Sequence, residues 1–166
     1  MSRTGIEQYL YLMDRAFDSQ EGWHSLMKNL ASVRDGEWEW VPEGAKRSIR
    51  QIAAHCGARY MYANHMFGDR SMRWHTIPPP PARDPATIIA WLREGYRRMH
   101  DGVAGLADDE ELTKPRGAPW GERAGEEGLD EHETRWLITI MIQHDLYHAG
   151  EINHLRSLRQ GTDAWE

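Results

Sequence analysis

The amino-acid sequence predicts an all-α fold, and three observations lead to that prediction. Apolar residues recur at helical spacing in four separate segments. Glycine and proline cluster between these segments, and a length of 166 residues fits one domain around one core. Amphipathic helices of similar length bury their apolar stripes together most simply as a four-helix bundle. We therefore expect residues 1–166 to form a single four-helix bundle domain.

The composition argues against several classes of protein. A formal net charge of −6 disfavours a nucleic-acid binder, because phosphate binding relies on clustered Lys and Arg. The most apolar stretch, residues 136–142, is far shorter than a membrane span. The first ten residues lack the apolar centre of a signal peptide, and Cys56 is the single cysteine. We expect a cytoplasmic protein without an intramolecular disulfide.

The first two predicted helices lie in the N-terminal half of the chain. The first covers residues 4–33 and ends before Gly36. The second begins after Ser48, a residue type that caps helix N-termini, and runs to about residue 67, where Gly68 ends it.

A long connection separates the second and third helices. Residues 68–83 show no periodicity and contain four consecutive prolines. Sixteen extended residues reach roughly 50 Å, whereas a helix of about 19 residues is roughly 28 Å long. The connection can therefore cross the length of a bundle, so the third helix would start at its far end.

The last two predicted helices have clear boundaries. The third begins with Asp84 as N-cap and Pro85 at the first helical position. The fourth starts near Asp130 and ends before Gly161. Residues 107–129 between them show no hairpin signal and are too long for a bare connector, which is typical of a functional loop.

Histidines occupy positions of the apolar stripes where hydrophobic residues are expected. His144 and His148 are four residues apart, so both rings lie on one helix face and can bind one metal ion. A hydrogen-bonded core pair and a solvent-facing stripe are the alternatives. His55 follows Ile52 at helical spacing and is the best candidate for a third ligand. His24 is a candidate fourth ligand or outer neighbour of the site.

Two stretches of the sequence resemble the DinB/YfiT-like superfamily. Residues 52–55 read Ile-Ala-Ala-His, with the histidine early in the second helix. Residues 144–152 read His-Asp-Leu-Tyr-His-Ala-Gly-Glu-Ile, which fits the pattern His-x-x-x-His-x-Gly-(Glu or Gln)-Ile. The run Pro119-Trp120-Gly121 before the fourth helix adds to the resemblance, which covers nearly the whole chain in order.

The resemblance implies both a topology and a metal site. It implies an up-down-down-up bundle, in agreement with the long connection of residues 68–83, and a homodimer. It also implies one divalent ion held by His55, His144 and His148, with zinc or nickel first and iron, manganese or copper as further candidates. Characterised relatives include thiol-dependent S-transferases and isomerases. The resemblance therefore favours a thiol S-transferase that uses a low-molecular-weight thiol as co-substrate.

Three neutral imidazoles would leave the ion an open position, which is the arrangement of catalytic sites. A thiol or a water in that position would have a lowered pKa, so a metal-dependent hydrolase is an alternative to thiol transfer. Glu151 is the candidate general base, or else the acceptor of a histidine N–H. Arg59 and Arg156 are candidates for binding an anionic thiol or small-molecule substrate.

Further hypotheses concern the pocket and the absence of catalysis. Tyr62, Trp120 and Trp136 are candidates for walls of a pocket over the site. A non-catalytic metal-binding module, acting in a stress response or in dimer contacts, is a rival from another class. A helical interaction protein whose histidines bind nothing is the third hypothesis.

Overall fold

The computed structural model of the chain describes residues 2–19, 21, 24–63, 67, 77–117 and 131–164. The described part is mostly helical, with α1 (Thr4–Asp18), α2 (Leu26–Ala31), α3 (Ile49–Ala63), α4 (Pro85–Ala104) and α5 (Thr134–Gln160). A short 3-10 helix (Asp109–Thr113) and two strands, β1 (Pro115–Gly117) and β2 (Glu131–Glu133), complete it. The predicted all-α class is confirmed, and the up-down-down-up course stays a prediction. No helix in the described residues has both the length and the apolarity needed to cross a bilayer.

The single helix predicted over residues 4–33 is wrong, because two helices occupy this range. Ser19 has extended backbone angles (φ −77°, ψ 123°) and ends α1. Ser25 then caps α2, since its side chain accepts a hydrogen bond from the backbone N–H of Lys28. The buried Phe17 and Leu26 lie on either side of the break. The apolar pattern thus continues across it, and periodicity alone does not reveal the interruption.

The predicted helix caps are confirmed where the structure describes them. Ser48 and Gln51 form a reciprocal capping box: Oγ of Ser48 accepts from the Gln51 N–H, and the Ser48 N–H donates to Gln51 Oε1. Asp84 Oδ1 accepts from the Thr87 N–H at 2.9 Å. Gly161 ends α5 in the left-handed region (φ 71°). The predicted end of the second helix and most of the long connection fall outside the described residues.

The sequence shows no hairpin signal, but the structure corrects this expectation with a small antiparallel strand pair after α4. Strand β1 pairs with β2, with Arg116 opposite His132. Strands of three residues are too short to show an alternating pattern in the sequence. The Thr134 N–H donates to the Lys114 carbonyl at 3.0 Å, which joins this pair to the start of α5. Helix α5 therefore begins at Thr134, later than the predicted start near Asp130.

Close packing of α3 against α4 and α5 positions the candidate site. Two glycines allow α3 and α4 to approach each other. A Cβ at Gly57 would lie 2.4 Å from the Trp91 ring, and a Cβ at Gly95 would lie 2.8 Å from Cβ of Tyr60. Helix α1 contacts both α4 and α5, and α2 contacts α5. One apolar cluster built from all five helices fills the space between them.

Candidate metal centre

Three histidines from two helices converge on one point. His55 lies in the first half of α3, and His144 and His148 lie one turn apart in the middle of α5. The Nε2 atoms of His55 and His144 are 3.1 Å apart. The ring centroid of His148 lies 4.4 Å from that of His144 and 5.1 Å from that of His55. One ligand nitrogen from each residue lies within 4.8 Å of the other two.

The spacing and burial of these nitrogens fit a shared ion. Zinc–nitrogen bonds of about 2.0–2.1 Å in tetrahedral geometry place two donor atoms about 3.3 Å apart, close to the 3.1 Å between His55 and His144. His148 is buried, and the other two side chains are partly buried. Nδ1 of His144 is also buried and has no hydrogen-bond partner among the described residues. The ring of His144 is therefore held by packing and by the contact of its Nε2 with His55. The three side chains can hold a metal.

Burial keeps the three imidazoles in the form that ligates metals. It is the main cause that lowers the pKa of His55 to about 4 and that of His144 to about 2, and the neighbouring His148 lowers both further. Burial also lowers the pKa of His148 itself. Neutral imidazole is the metal-binding form, so at pH 7 none of the three rings has to lose a positive charge before an ion binds.

Glu151 contacts the site through His148. The Nδ1–H of His148 donates to Glu151 Oε2 at 2.7 Å. This bond leaves the Nε2 lone pair of His148 available to face the other two rings. Arg47 Nη2 donates to both oxygens of the same carboxylate, at 3.1 and 3.3 Å. Of the two roles predicted for Glu151, the contacts match the acceptor of a histidine N–H.

The sequence analysis did not identify Arg47. This residue lies in the connection that precedes α3, where no periodicity links it to the histidines. Its charge nevertheless contributes to lowering the pKa of all three histidines. The only sequence signal is a basic residue one position before the helix cap Ser48.

Of the two arginines that the sequence singled out, Arg59 lies beside the histidines. It follows His55 by one helical turn on α3. Its positive charge is among the causes that lower the pKa of each of the three histidines. Burial lowers the pKa of Arg59 itself. The positive charge of Arg59 is therefore near enough to act on all three imidazoles.

Arg156 occupies a different place. It follows His148 by eight residues on α5, a rise of roughly 12 Å. Its buried guanidinium donates to the side chains of Asn153 and Gln160, both at 2.9 Å, and to the backbone carbonyls of Asp163 and Ala164. Arg156 thus ties the end of α5 to the segment that follows it, and the structure does not bring it to the histidines.

The other predicted neighbours of the site are spread over the molecule. His24 is exposed and lines a groove with Ala149 and Asn153, on a face of α5 away from His144. Trp136 stacks on His132 with ring centroids 3.8 Å apart. Tyr62 is fully buried in α3, and Trp120 lies outside the described residues. Among the described residues, the three-histidine group has no fourth His, Cys, Asp or Glu ligand.

A buried polar pair next to the histidines was also missed. Asp145 is fully buried, and its Oδ2 accepts a hydrogen bond from the hydroxyl of Tyr60 at 2.5 Å. Burial raises the pKa of Asp145 to about 8, so the carboxyl group is mostly neutral at pH 7. The available signal was spacing, because Asp145 follows Met141 by four residues and precedes His148 by three on the buried face of α5.

Comparison with known proteins gives one family match. Residues 19–152 match the sequence profile described as the DinB superfamily. The matched range begins at the end of α1 and includes His55, His144, His148 and Glu151. No curated protein matches the chain.

Proposed function

The chain belongs to the DinB superfamily, and we propose that its three histidines bind one divalent metal ion for a thiol S-transferase reaction. The convergence of one nitrogen from each of His55, His144 and His148 is the observation that carries this proposal. Zinc and nickel are the first candidates, with iron, manganese and copper next, because imidazole ligands accept all of them. A site with three protein ligands leaves a position for a small molecule.

The residues around the site would divide the work of the reaction. A bound metal ion lowers the pKa of a thiol held at its open position. Glu151 fixes the orientation of His148, and Arg59 supplies positive charge for an anionic thiol or substrate. The thiol sulfur forms a bond to an electrophilic carbon of the substrate. The bond between that carbon and the leaving group breaks, the leaving group keeps the electron pair, and the thiol proton passes to solvent.

The contacts of Glu151 favour thiol transfer over hydrolysis. Hydrolysis by a metal-bound water is assisted by a base that is free to accept a proton. Both oxygens of Glu151 already accept hydrogen bonds from Arg47, and one of them also accepts from His148. A thiol is acidic enough to ionise at a metal without a separate base, so thiol transfer needs no group that the described site lacks.

A conjugation assay tests this function. Protein reconstituted with zinc or with nickel is incubated with a panel of low-molecular-weight thiols and electrophiles, and thioether products are measured by mass spectrometry. We expect product with the wild type and a loss of at least about a hundredfold with His144→Ala. His154→Ala is the matched control, because His154 is an exposed histidine of the same helix. Metal-loaded protein that forms no thioether would overturn the transferase proposal and leave the metal-dependent hydrolase and the non-catalytic metal-binding module.

The homodimer expected from the family is part of the same proposal. Several large hydrophobic side chains are exposed on α1 and α5, among them Leu12, Leu146 and Tyr147. Their burial between two copies would remove apolar surface from water. Light scattering during size-exclusion chromatography measures the mass directly, and a monomer at all concentrations would contradict this part of the proposal.

A further inference from the structure

We infer that the buried hydrogen bond between Tyr60 and Asp145 is a positioning device for the three-histidine site. This inference rests on the proposed metal site and assigns a role to two residues that do not themselves reach the ion. Tyr60 belongs to α3 and Asp145 to α5, the two helices that supply the histidines. Both side chains are almost completely inaccessible to solvent.

The bond joins the two helices next to the point where their imidazoles meet. Asp145 is adjacent to His144 in sequence, and Tyr60 follows His55 by five residues. The 2.5 Å bond between Tyr60 and Asp145 therefore joins the same two helices as the 3.1 Å approach of His55 and His144, one residue away from it along α5 and five residues away along α3. Because neighbouring residues of a helix point about 100° apart, Asp145 bonds Tyr60 while the adjacent His144 contacts His55. A rotation or slide of α5 that withdraws His144 also moves Asp145, and the bond to Tyr60 resists that movement.

Tyr60 is a fixed anchor for this bond. Its ring packs edge-on against Phe17 and Tyr96, with centroids 5.7 and 5.5 Å away. The backbone of α4 approaches so closely at Gly95 that a Cβ there would lie 2.8 Å from Cβ of Tyr60. The hydroxyl therefore has little freedom to follow a moving partner. Apolar contacts are non-directional and tolerate small rotations, whereas a hydrogen bond is directional and resists them.

A matched pair of tyrosine variants separates positioning from ordinary stabilisation. Tyr60→Phe removes the hydroxyl that bonds Asp145 and keeps the ring. Tyr96→Phe removes a hydroxyl from the same aromatic cluster, but that hydroxyl donates to Asp14 at the surface of α1. Both variants lose one hydrogen bond, and only the first loses a bond between the two ligand-bearing helices.

The readouts are the Co²⁺ dissociation constant and the visible spectrum of the Co²⁺ form, measured under conditions where every variant is folded by circular dichroism. We expect Tyr60→Phe to raise the dissociation constant about tenfold, the lower end for loss of an outer-sphere partner, and to change the ligand-field bands. Tyr96→Phe is expected to stay within about twofold of wild type. Asp145→Asn keeps an acceptor oxygen for Tyr60 and is expected to retain the wild-type spectrum.

Two results would overturn the inference: unchanged cobalt binding and spectrum in Tyr60→Phe, or an equal loss in Tyr96→Phe. Wild type that binds no cobalt, zinc or nickel would instead defeat the proposed function. In that case ¹⁵N-histidine NMR of the metal-free protein still decides the inference. A positioning role predicts that the hydrogen bond between His55 and His144 is present in wild type and lost in Tyr60→Phe. Persistence of this bond in the variant would contradict the positioning role.

Discussion

Nδ1 of His148 lies 2.7 Å from Glu151 Oε2, and this contact connects a candidate metal ligand to a charged pair outside the site. Arg47 holds the same carboxylate from the segment before α3. The chain His148–Glu151–Arg47 thus fixes one imidazole to two parts of the fold. Such outer partners orient a ligating ring and increase its basicity.

The first prediction concerns Glu151. We expect Glu151→Ala to raise the zinc dissociation constant about 10–100-fold, because His148 loses the acceptor that orients it. Glu151→Gln keeps an acceptor oxygen and should have a smaller effect. Zinc affinity is measured by competition with a chelator. Glu94→Ala is the control, since Glu94 also pairs with arginines but lies on the exposed face of α4; equal losses in the two alanine variants would contradict the assigned contact.

A second prediction concerns the stability of the metal-free protein in acid. The folded-state pKa values of His55 (about 4) and His144 (about 2) lie below the ordinary value of 6.5. Below pH 6.5 the unfolded chain therefore binds more protons than the folded chain. The stability that these histidines contribute is fully present above pH 6.5 and is lost as pH falls through about 4 for His55 and about 2 for His144. We expect urea midpoints in the presence of EDTA to fall between pH 6.5 and 4. In His144→Ala the decline should be shallower, and an identical slope would show that His144 is not buried in its neutral form.

Asp145 is expected to have the opposite pH dependence. Its folded-state pKa of about 8 lies above the ordinary 3.8, so the folded chain binds the additional proton between these values. Its contribution to stability is fully present below pH 3.8 and is lost as pH rises through about 8. Asp145→Asn cannot ionise, and we expect its urea midpoint to decline less than that of wild type between pH 6.5 and 8.5. Parallel declines in the two proteins would contradict a buried neutral carboxyl group.

The two arginines singled out by sequence should respond differently to substitution. Arg156→Met removes hydrogen bonds from a buried guanidinium to the segment after α5, and we expect a loss of at least about 2 kcal/mol in the free energy of unfolding with zinc affinity unchanged. Arg59→Met should mainly raise the KM for an anionic thiol or substrate. Urea unfolding and steady-state kinetics measure the two effects. If Arg156→Met instead raised the KM and Arg59→Met instead lowered the free energy of unfolding, the anion-binding residue would be Arg156 at the far end of α5.

Local signals explain what the sequence could predict. The helix caps Ser48 and Asp84 depend on residues within three positions along the chain, and both are confirmed. The convergence of His144 and His148 depends on one helix period, which the sequence displays directly. His55 lies on a different helix from the other two histidines. Its position on the apolar face of α3 was enough to predict that it faces them.

The features that escaped prediction are set by tertiary contacts. Arg47 reaches Glu151 across 104 positions of the chain, and Tyr60 reaches Asp145 across 85. No spacing rule connects residues so far apart. Asp145 lies on the buried face of α5 with Met141 and His148, but its hydrogen-bond partner Tyr60 comes from another helix.

Metal content is the most direct test of the proposed site. Tag-free wild type and the His55→Ala, His144→Ala and His148→Ala variants are analysed by mass spectrometry of metals, with His154→Ala as the control. We predict about one divalent ion per chain in wild type and control, and loss of most of it in the three variants while circular dichroism remains helical. Stoichiometric metal in those variants, or none in wild type after incubation with zinc and nickel, would contradict the three-histidine site.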